Sequence, residues 1–141
     1  MKKLKLGIIG AGRIGNVHAQ SITLRIPEAE VAMVSDVRIG AARALAEKYG
    51  IAGYTADYRD ILNDPQIGAV LICSPTNTHA GIAIEAARAG KHIFCEKPVD
   101  LTIGKIRAVQ KAVEEAGVKI QIGFNRRFDH NHGRIAQLAS D

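Results

Sequence analysis

The sequence predicts an α/β fold, with a doubly wound parallel sheet and helices on both of its faces. Short runs of branched apolar residues, typical of strands buried on both faces, alternate with longer segments of helical periodicity. The first apolar run passes directly into glycines at G-x-G-x-x-G spacing, before the first helical segment. Right-handed crossovers between such units give a parallel sheet, for which we expect the strand order 3-2-1-4-5-6.

The elements are expected in regular alternation along the chain. The predicted strands cover residues 4–9, 30–35, 53–55, 67–73, 91–95 and 118–122. The predicted helices cover residues 13–24, 39–49, 58–62, 79–89 and 102–116. Asp57 is the expected cap of the short third helix, while Gly50, Gly90 and Gly117 mark the ends of three others.

The glycines of the first turn have separate physical roles. Gly10 is expected to allow the tight turn, Gly12 to let a pyrophosphate approach the backbone, and Gly15 to let the helix lie close to the sheet. The helix N-terminus, which begins with Arg13 and Ile14, offers unpaired N–H groups and a positive dipole end to phosphates. The pattern therefore favours a bound dinucleotide, with a glycine-rich turn that binds nothing as the alternative.

An acidic residue ends the second predicted strand. Asp36 stands where a dinucleotide-binding fold places a carboxylate on the adenosine ribose, about 20 residues after the glycine turn. A carboxylate accepts two hydrogen bonds from a vicinal diol and repels a 2′-phosphate, so we favour NAD over NADP. Arg38 complicates this preference, because an arginine can pair with a 2′-phosphate. The alternative role for Asp36 is a cap of the next helix, and it could serve in both roles.

Three loops follow the C-terminal ends of predicted strands. They comprise residues 10–15, 74–79 and 96–98, and residues 123–128 extend the same edge of the sheet. Because ligands bind at this edge in open α/β sheets, we expect the chemistry of the protein to gather there.

Lys97 is the most suggestive single residue for chemistry. A lysine beside a substrate hydroxyl can donate a hydrogen bond or take part in proton transfer, and burial beside another cation would favour its neutral form. Glu96 precedes it directly, and Pro98 restricts it to an extended conformation. A cis Lys97–Pro98 peptide bond is compatible with this sequence. The alternative, which composition alone favours, is a surface lysine in a strand-to-helix loop.

The histidines give weaker signals. His79 stands at the start of a predicted helix, and we favour a role for it in shaping the loop over a role in catalysis. His130 and His132 indicate a metal site only weakly, because no cysteine or carboxylate pattern supports them, and we predict no metal. His18 in the first helix and His92 in the fifth strand are most simply structural.

Composition favours a globular protein without a nucleic-acid or membrane partner. The net charge is +5, but the basic residues are dispersed and no nucleic-acid-binding motif is present. No apolar run is long enough to span a bilayer, and the start of the chain lacks a secretory signal pattern. Cys73 and Cys95 each end an apolar run, where we expect reduced, buried thiols. The expected location is therefore cytoplasmic.

Several motifs stand at defined distances from one another. They are Gly-Ile-Ile-Gly-Ala-Gly-Arg-Ile-Gly at 7–15 with His18, Asp36, Ser-Pro-Thr-Asn-Thr-His at 74–79, Cys-Glu-Lys-Pro-Val at 95–99 and Gly-Phe-Asn-Arg-Arg-Phe-Asp at 123–129. Together they resemble the Gfo/Idh/MocA oxidoreductase family over nearly the whole chain. The Glu-Lys-Pro motif is the most specific part, and the last motif is most similar to the inositol 2-dehydrogenase branch of the family.

The resemblance implies an NAD(P)-dependent oxidation of a secondary hydroxyl of a cyclic polyol or sugar, with myo-inositol as the expected substrate. Lys97 would stand near the reacting hydroxyl and the nicotinamide as the catalytic and substrate-binding residue, and Arg127 would lie near the substrate. The loop 74–79 would lie along the nicotinamide half of the cofactor. The expected cofactor-binding residues are Gly10, Gly12, Arg13, Ile14, Gly15, Asp36, Arg38, Ser74, Pro75, Thr76, Asn77, His79, Glu96 and Lys97.

The resemblance also implies a second α/β domain with an open, mainly antiparallel sheet, which is absent from this chain. That domain would bring the general base and most oligomer contacts, so we expect this chain alone to be inactive and the full-length protein to be a homo-oligomer. Residues 1–123 would then form the Rossmann domain, and residues 124–141 the start of the connection. The alternatives are a stand-alone dinucleotide-binding or regulatory module without catalysis, and a methyltransferase that uses S-adenosylmethionine.

Overall fold

Six strands lie within residues 2–140, which the computed structural model describes. They are β1 (Leu4–Ile9), β2 (Ala29–Ser35), β3 (Gly53–Thr55), β4 (Ala69–Ile72), β5 (His92–Cys95) and β6 (Ile120–Ile122). All neighbouring strands are parallel, in the order β3-β2-β1-β4-β5-β6, so the predicted fold class and strand order are confirmed. Met1 and Asp141, which bound the two predicted domain ranges, lie outside the described residues.

The helices connect these strands as predicted. They are α1 (Arg13–Arg25), α2 (Ile39–Tyr49), α3 (Tyr58–Asn63), α4 (Thr76–Arg88), α5 (Ile103–Ala116) and α6 (His130–Ser140), with a 3₁₀ helix at Asn125–Phe128. Gly50 and Gly117 end α2 and α5 in the left-handed conformation, with φ of 66° and 65°. Asp57 caps α3 by accepting the Arg59 N–H. Among residues 2–140, no helix has the length and apolar character needed to cross a membrane.

The start of α4 differs from the prediction. Residues 76–78 were expected in a loop because their side chains are typical of turns. Instead they form the first helical turn directly after Pro75, whose carbonyl accepts the Thr78 N–H at 2.9 Å. Polar residues suit this position because the first N–H groups of a helix have no partner within it. The last helix begins at His130, beyond the five helices that the sequence predicts.

Two apolar layers hold the helices against the sheet. α1 and α2 cover one face, where Ile8 and Val34 are buried, and α3, α4 and α5 cover the other, where Ile61 and Val70 are buried. The central strands β1 and β4 are therefore enclosed on both sides, which explains their almost entirely apolar sequences. Because the strands are parallel, the loops after them meet at one edge of the sheet.

Candidate active site

The loops after β1, β2 and β4 enclose a cleft of about 530 Å³ at this edge. Six predicted cofactor residues line the cleft, namely Gly10, Gly12, Asp36, Arg38, Ser74 and Pro75. The lining residues outside the predicted set are Ile9, Ser35, Val37, Ala56, Tyr58, Cys73, Thr78 and Ile82. The cleft lies at the switch point between β1 and β4, where open α/β sheets bind their ligands.

The glycine turn has the geometry that the sequence predicts. Gly10 has a φ of +106°, and a Cβ there would lie 2.6 Å from the Cys73 carbonyl carbon. A Cβ at Gly15 would collide with the Gly10 carbonyl oxygen, so α1 can pack this closely only with glycine at that position. A Cβ at Gly12 would meet no atom within 4 Å. The turn is thus packed beneath Gly10 and Gly15 but open above Gly12, as a bound pyrophosphate requires.

The Asp36 carboxylate is held at the mouth of the cleft by the backbone. Oδ2 accepts the Ala11 N–H at 2.9 Å, and Oδ1 accepts the Arg38 N–H at 2.9 Å. Arg38 occupies the N-cap position of α2 and makes no capping bond with its side chain, so the alternative that Asp36 caps this helix is wrong. The Arg38 guanidinium lies 3.5 Å from Oδ1, but its side chain is 76% exposed against 10% for Asp36. A preorganised carboxylate beside an exposed cation suits a ribose diol.

A chain of hydroxyl groups forms the other side of the cleft. Thr78 Oγ1 donates to the Pro75 carbonyl at 2.6 Å, and Ser74 Oγ lies 2.7 Å from Thr78 Oγ1. Because the Thr78 hydrogen is used, the Ser74 hydroxyl donates to Thr78 and keeps its own lone pairs as acceptors. Ser74 can therefore accept a hydrogen bond from an amide in the cleft. Thr76 and Asn77 stand on the same helical turn but are not among the lining residues.

Tyr58 is a wall of the cleft that the sequence analysis missed. Its hydroxyl donates to Glu85 Oε1 at 2.9 Å, and the Arg59 guanidinium lies 4.8 Å from the centre of its ring. Burial raises the pKa of Tyr58, and the bond to the Glu85 carboxylate raises it further. The phenol therefore stays protonated and its ring is fixed. Its place after the cap of α3 was the only sequence signal, and that signal does not distinguish a wall from a surface residue.

Lys97 lies beside a second cavity, of about 650 Å³. The other residues that line it are Phe124, Asn125, Arg126, Phe128, Asp129 and His132. The Lys97 side chain is exposed, as the alternative of a surface lysine in a strand-to-helix loop predicts, and burial therefore does not act on it. The Lys97–Pro98 peptide bond is cis. Arg126 lines the cavity, whereas Arg127 does not, although both lie on the 3₁₀ helix.

His132 belongs to a hydrogen-bonded group at the rim of this cavity. Its Nδ1 lies 2.8 Å from Asp129 Oδ1, and Arg126 Nη1 lies 2.6 Å from its Nε2. An arginine only donates, so Nε2 accepts and Nδ1–H donates to the carboxylate. The bond to His132 holds the pKa of Asp129 below its usual range. Within residues 2–140, three or more His, Cys, Asp or Glu side chains do not converge in a way that could hold a metal ion.

Two histidines contact the loop that carries Lys97. His18 Nε2 lies 2.8 Å from Glu96 Oε1, and the His18 ring meets the edge of Phe94 at 5.1 Å. His79 is 2% exposed, with Nδ1 at 2.7 Å from the Pro98 carbonyl oxygen and Nε2 at 2.7 Å from the Ser74 carbonyl oxygen. Both ring nitrogens of His79 thus face the backbone, which favours the alternative that this histidine shapes the loop.

The two thiols are poor nucleophiles. Cys95 is buried at the end of β5, and Cys73 is partly buried directly after β4. Burial raises the pKa of each thiol to about 12, with the Glu96 carboxylate contributing in the same direction. The two thiols are unpaired, and the expected burial is confirmed for Cys95, whereas Cys73 is only partly buried. Neither is a candidate for covalent catalysis.

Known proteins match this chain along nearly its whole length. An uncharacterized oxidoreductase of Bacillus subtilis, YrbE, is 45% identical over 140 residues, covering 99% of this chain and 41% of that protein. Myo-inositol 2-dehydrogenase of Thermotoga maritima is 39% identical over 138 residues, covering 98% of this chain and 41% of the enzyme. The chain therefore spans about two fifths of the length of these relatives.

A solved structure and a family model agree with these relatives. The crystal structure of scyllo-inositol dehydrogenase from Lactobacillus casei, with bound NAD(H) and scyllo-inositol, superposes with a TM-score of 0.91 at 34% identity, covering 99% of this chain and 41% of that one. The family model for the Gfo/Idh/MocA oxidoreductases, described as an oxidoreductase family with an NAD-binding Rossmann fold, matches residues 4–124. With its glycine turn, its strand order and this match, the chain belongs to the Gfo/Idh/MocA oxidoreductase family and forms the NAD-binding Rossmann domain.

Proposed function

We propose that this chain is the cofactor-binding part of an NAD-dependent dehydrogenase that oxidises a secondary hydroxyl of a cyclic polyol, with myo-inositol as the first candidate. The observation that carries the proposal is the placement of Asp36 and Lys97 at one edge of the sheet, on opposite sides of the glycine turn. The matched proteins that bear inositol dehydrogenase names support the class of substrate.

The proposed reaction moves two electrons from the alcohol to the cofactor. The C–H bond of the alcohol breaks with its electron pair leaving as hydride, the hydroxyl loses its proton, and a ketone forms. NAD⁺ supplies the hydride acceptor when it is bound. Lys97 Nζ would donate a hydrogen bond to the reacting oxygen as the proton leaves, which stabilises developing negative charge there. The general base is proposed to lie in the second domain.

The cleft residues fit NAD in three places. The backbone at Gly12 leaves room for the pyrophosphate, and the first turn of α1 offers its unpaired N–H groups. The Asp36 oxygens have lone pairs left for the ribose diol, because each accepts one backbone hydrogen. Ser74 can accept a hydrogen bond at the nicotinamide end. The proposed cofactor-binding residues remain Gly10, Gly12, Arg13, Ile14, Gly15, Asp36, Arg38, Ser74, Pro75, Thr76, Asn77, His79, Glu96 and Lys97.

The remaining proposals concern the full-length protein. Residues 124–141 are proposed to connect the Rossmann domain of residues 1–123 to a second domain that completes the substrate site and the homo-oligomer. The exposed side chain of Arg127 is available to such a site, and we propose that it binds substrate. The cytosol is the proposed compartment, which two free thiols support.

The test is oxidation of polyols by the full-length gene product. Purified protein is mixed with NAD⁺ and a panel of inositol isomers, hexoses and linear polyols, and NADH formation is followed by absorbance. We expect turnover with at least one cyclic polyol and slower turnover with linear ones. A folded protein that binds NAD⁺ but oxidises none of the panel would contradict the proposal and favour the binding module without catalysis.

A further inference from the structure

The segment Glu96–Pro98 is anchored on both sides of Lys97 by histidines from different helices. On one side, the Glu96 carboxylate lies 2.8 Å from His18 Nε2 of α1. On the other side, the Pro98 carbonyl lies 2.7 Å from His79 Nδ1 of α4. Lys97 itself is exposed between these two anchors. The segment that carries the lysine is therefore held by two side chains that are remote from it in the sequence, through the Glu96 side chain and through the Pro98 backbone.

Each histidine also joins Lys97 to a turn that lines the cofactor cleft. His18 stands in α1, the helix that begins directly after the glycine turn. His79 stands in α4, and its second nitrogen lies 2.7 Å from the carbonyl of Ser74, which lines the cleft. Both helices thus begin beside the cofactor cleft, and each carries a histidine that contacts the Lys97 segment.

The surroundings of the two histidines make these anchors stiff. His79 is 2% exposed, so its bonds face little competition from water. The His18 ring packs against the edge of Phe94, which lies on β5 two residues before Glu96. The Glu96 carboxylate in turn lies close to the backbone of Gly123, where an added Cβ would be 3.1 Å from Oε1.

We propose that His18 and His79 are positioning residues for Lys97, which tie its location to that of the two cofactor-binding turns. The inference rests on the proposed function, in which Lys97 contacts the reacting hydroxyl. A displacement of about 1 Å at a reacting group can cost roughly 10²-fold in rate, so a lysine on an otherwise exposed loop needs such supports.

The chemistry of the two contacts predicts different responses to substitution. His18 makes one bond to a carboxylate, and the amide N–H of a glutamine can replace it. His79 fills a buried position between two carbonyl oxygens, and an imidazole with a single N–H donates to one of them. A flexible glutamine side chain does not reproduce the shape of this buried ring. His18→Gln should therefore retain function that His18→Ala loses, whereas both His79→Gln and His79→Ala should lose it.

The experiment uses the full-length gene product with its polyol substrate and NAD⁺. For each variant we measure kcat, the KM for NAD⁺, the Kd for NADH and the thermal midpoint. His18→Ala should lower kcat by roughly 10²-fold with little change in NADH affinity, and His18→Gln should restore it. His92→Gln is the matched control, because His92 Nδ1 accepts the Lys119 N–H at the opposite end of β5. This control should keep kcat.

The outcomes separate the two proposals. Folded His18→Ala and His79→Ala proteins with unchanged kcat, alongside an inactive Lys97→Ala protein, would overturn the positioning role and leave the proposed function standing. A Lys97→Ala protein with full kcat would overturn the proposed role of Lys97 and the positioning role with it, while the polyol oxidation itself would stand. If the histidines were merely structural, their variants would lower the thermal midpoint as His92→Gln does and leave kcat of the folded protein intact. If His79→Ala does not fold, the His18 pair decides.

Discussion

The two sides of the sheet edge differ in how completely they are built. At the cofactor cleft, each oxygen of Asp36 accepts a backbone N–H, and the side chain is largely buried. At the Lys97 cavity, Phe124 and Phe128 are 54% and 77% exposed. Exposed apolar side chains around a cavity are typical of a surface that a ligand or another part of a protein covers. The described residues thus complete the cofactor cleft but leave the Lys97 side open.

This difference separates binding from chemistry within the molecule. The cofactor cleft is preorganised, so substitutions there should change affinity or stability even in this chain alone. The Lys97 cavity contributes one charged group to a reaction whose other parts are proposed to lie elsewhere. Substitutions on that side should change turnover of the full-length protein far more than they change cofactor binding.

Lys97→Ala should have the largest effect. Removing a group that acts on the reacting hydroxyl should lower kcat of the full-length protein by about 10²–10⁴-fold. Because the side chain is exposed, the thermal midpoint should stay unchanged, and NADH affinity should fall far less than kcat. Lys111→Ala, on the exposed face of α5, is the control. Normal turnover by the Lys97 variant would remove this residue from the mechanism.

Asp36→Ala should have the next largest effect, and it should act on cofactor affinity alone. Loss of hydrogen bonds to a charged group, about 1.5–3 kcal/mol, predicts a drop of roughly 10- to 100-fold in NADH affinity. NADPH should bind better than before, because Arg38 is then free to pair with a 2′-phosphate. Fluorescence titration with both cofactors measures this.

The matched control for that variant is Asp57→Ala. Asp57 Oδ1 accepts the Arg59 N–H at 2.9 Å, the same local bond that Asp36 makes to Arg38. Its loss should cost about 1 kcal/mol of stability as a helix cap and leave cofactor affinity unchanged. Equal behaviour of the two variants would argue that Asp36 only stabilises its loop.

A pair of glycine substitutions should separate folding from binding within the cleft. Gly10→Ala forces a side chain into a φ of +106° and against Cys73, and should cost at least about 1–3 kcal/mol of unfolding free energy. Gly12→Ala meets no atom within 4 Å and should fold normally, yet bind NADH more weakly because the Cβ occupies the pyrophosphate position. Denaturant unfolding and NADH titration of both variants test this. Unchanged affinity in Gly12→Ala would place the pyrophosphate elsewhere.

The smallest expected effect is on the rate at which the two thiols, Cys73 and Cys95, are alkylated. Burial raises the pKa of Cys73 and Cys95 to about 12, so the neutral thiol is the form that the fold stabilises. That contribution is fully present below the ordinary thiol pKa of about 9 and is lost progressively as pH rises from there to about 12. Alkylation at mildly alkaline pH, followed by mass spectrometry, should be slow for the folded chain and fast after unfolding. NAD⁺ should slow it further at Cys73, which lines the cleft, but not at Cys95.

Local signals in the sequence predicted the fold and the geometry of the glycine turn. Apolar runs marked the strands, and glycines such as Gly50 and Gly117 marked the ends of helices. Both signals are readable because they depend only on residues close together in the sequence. The bounds of β1, α2 and β3 are those predicted. The surroundings of Gly10, Gly12 and Gly15 follow from the local geometry of the strand-to-helix turn, which the spacing of the glycines indicates.

The Lys97 side was less readable because its contacts join distant residues. The partner of His18 is 78 residues away in the chain, and that of His79 is 19 residues away. Arg126 lines the cavity and Arg127 does not, because of how the 3₁₀ helix that carries them is oriented. The sequence does not specify that orientation. Tyr58 lines the cleft from the first residue of α3, and its bond to Glu85 joins residues 27 positions apart.

The central claim is that the described residues form a complete NAD site without help from further sequence. Calorimetric titration of this 141-residue chain with NAD⁺ and with NADP⁺ tests it most directly. We predict one NAD⁺ bound per chain, with NADP⁺ binding more weakly. A chain that is folded by circular dichroism but binds no NAD⁺ at millimolar concentration would contradict the claim.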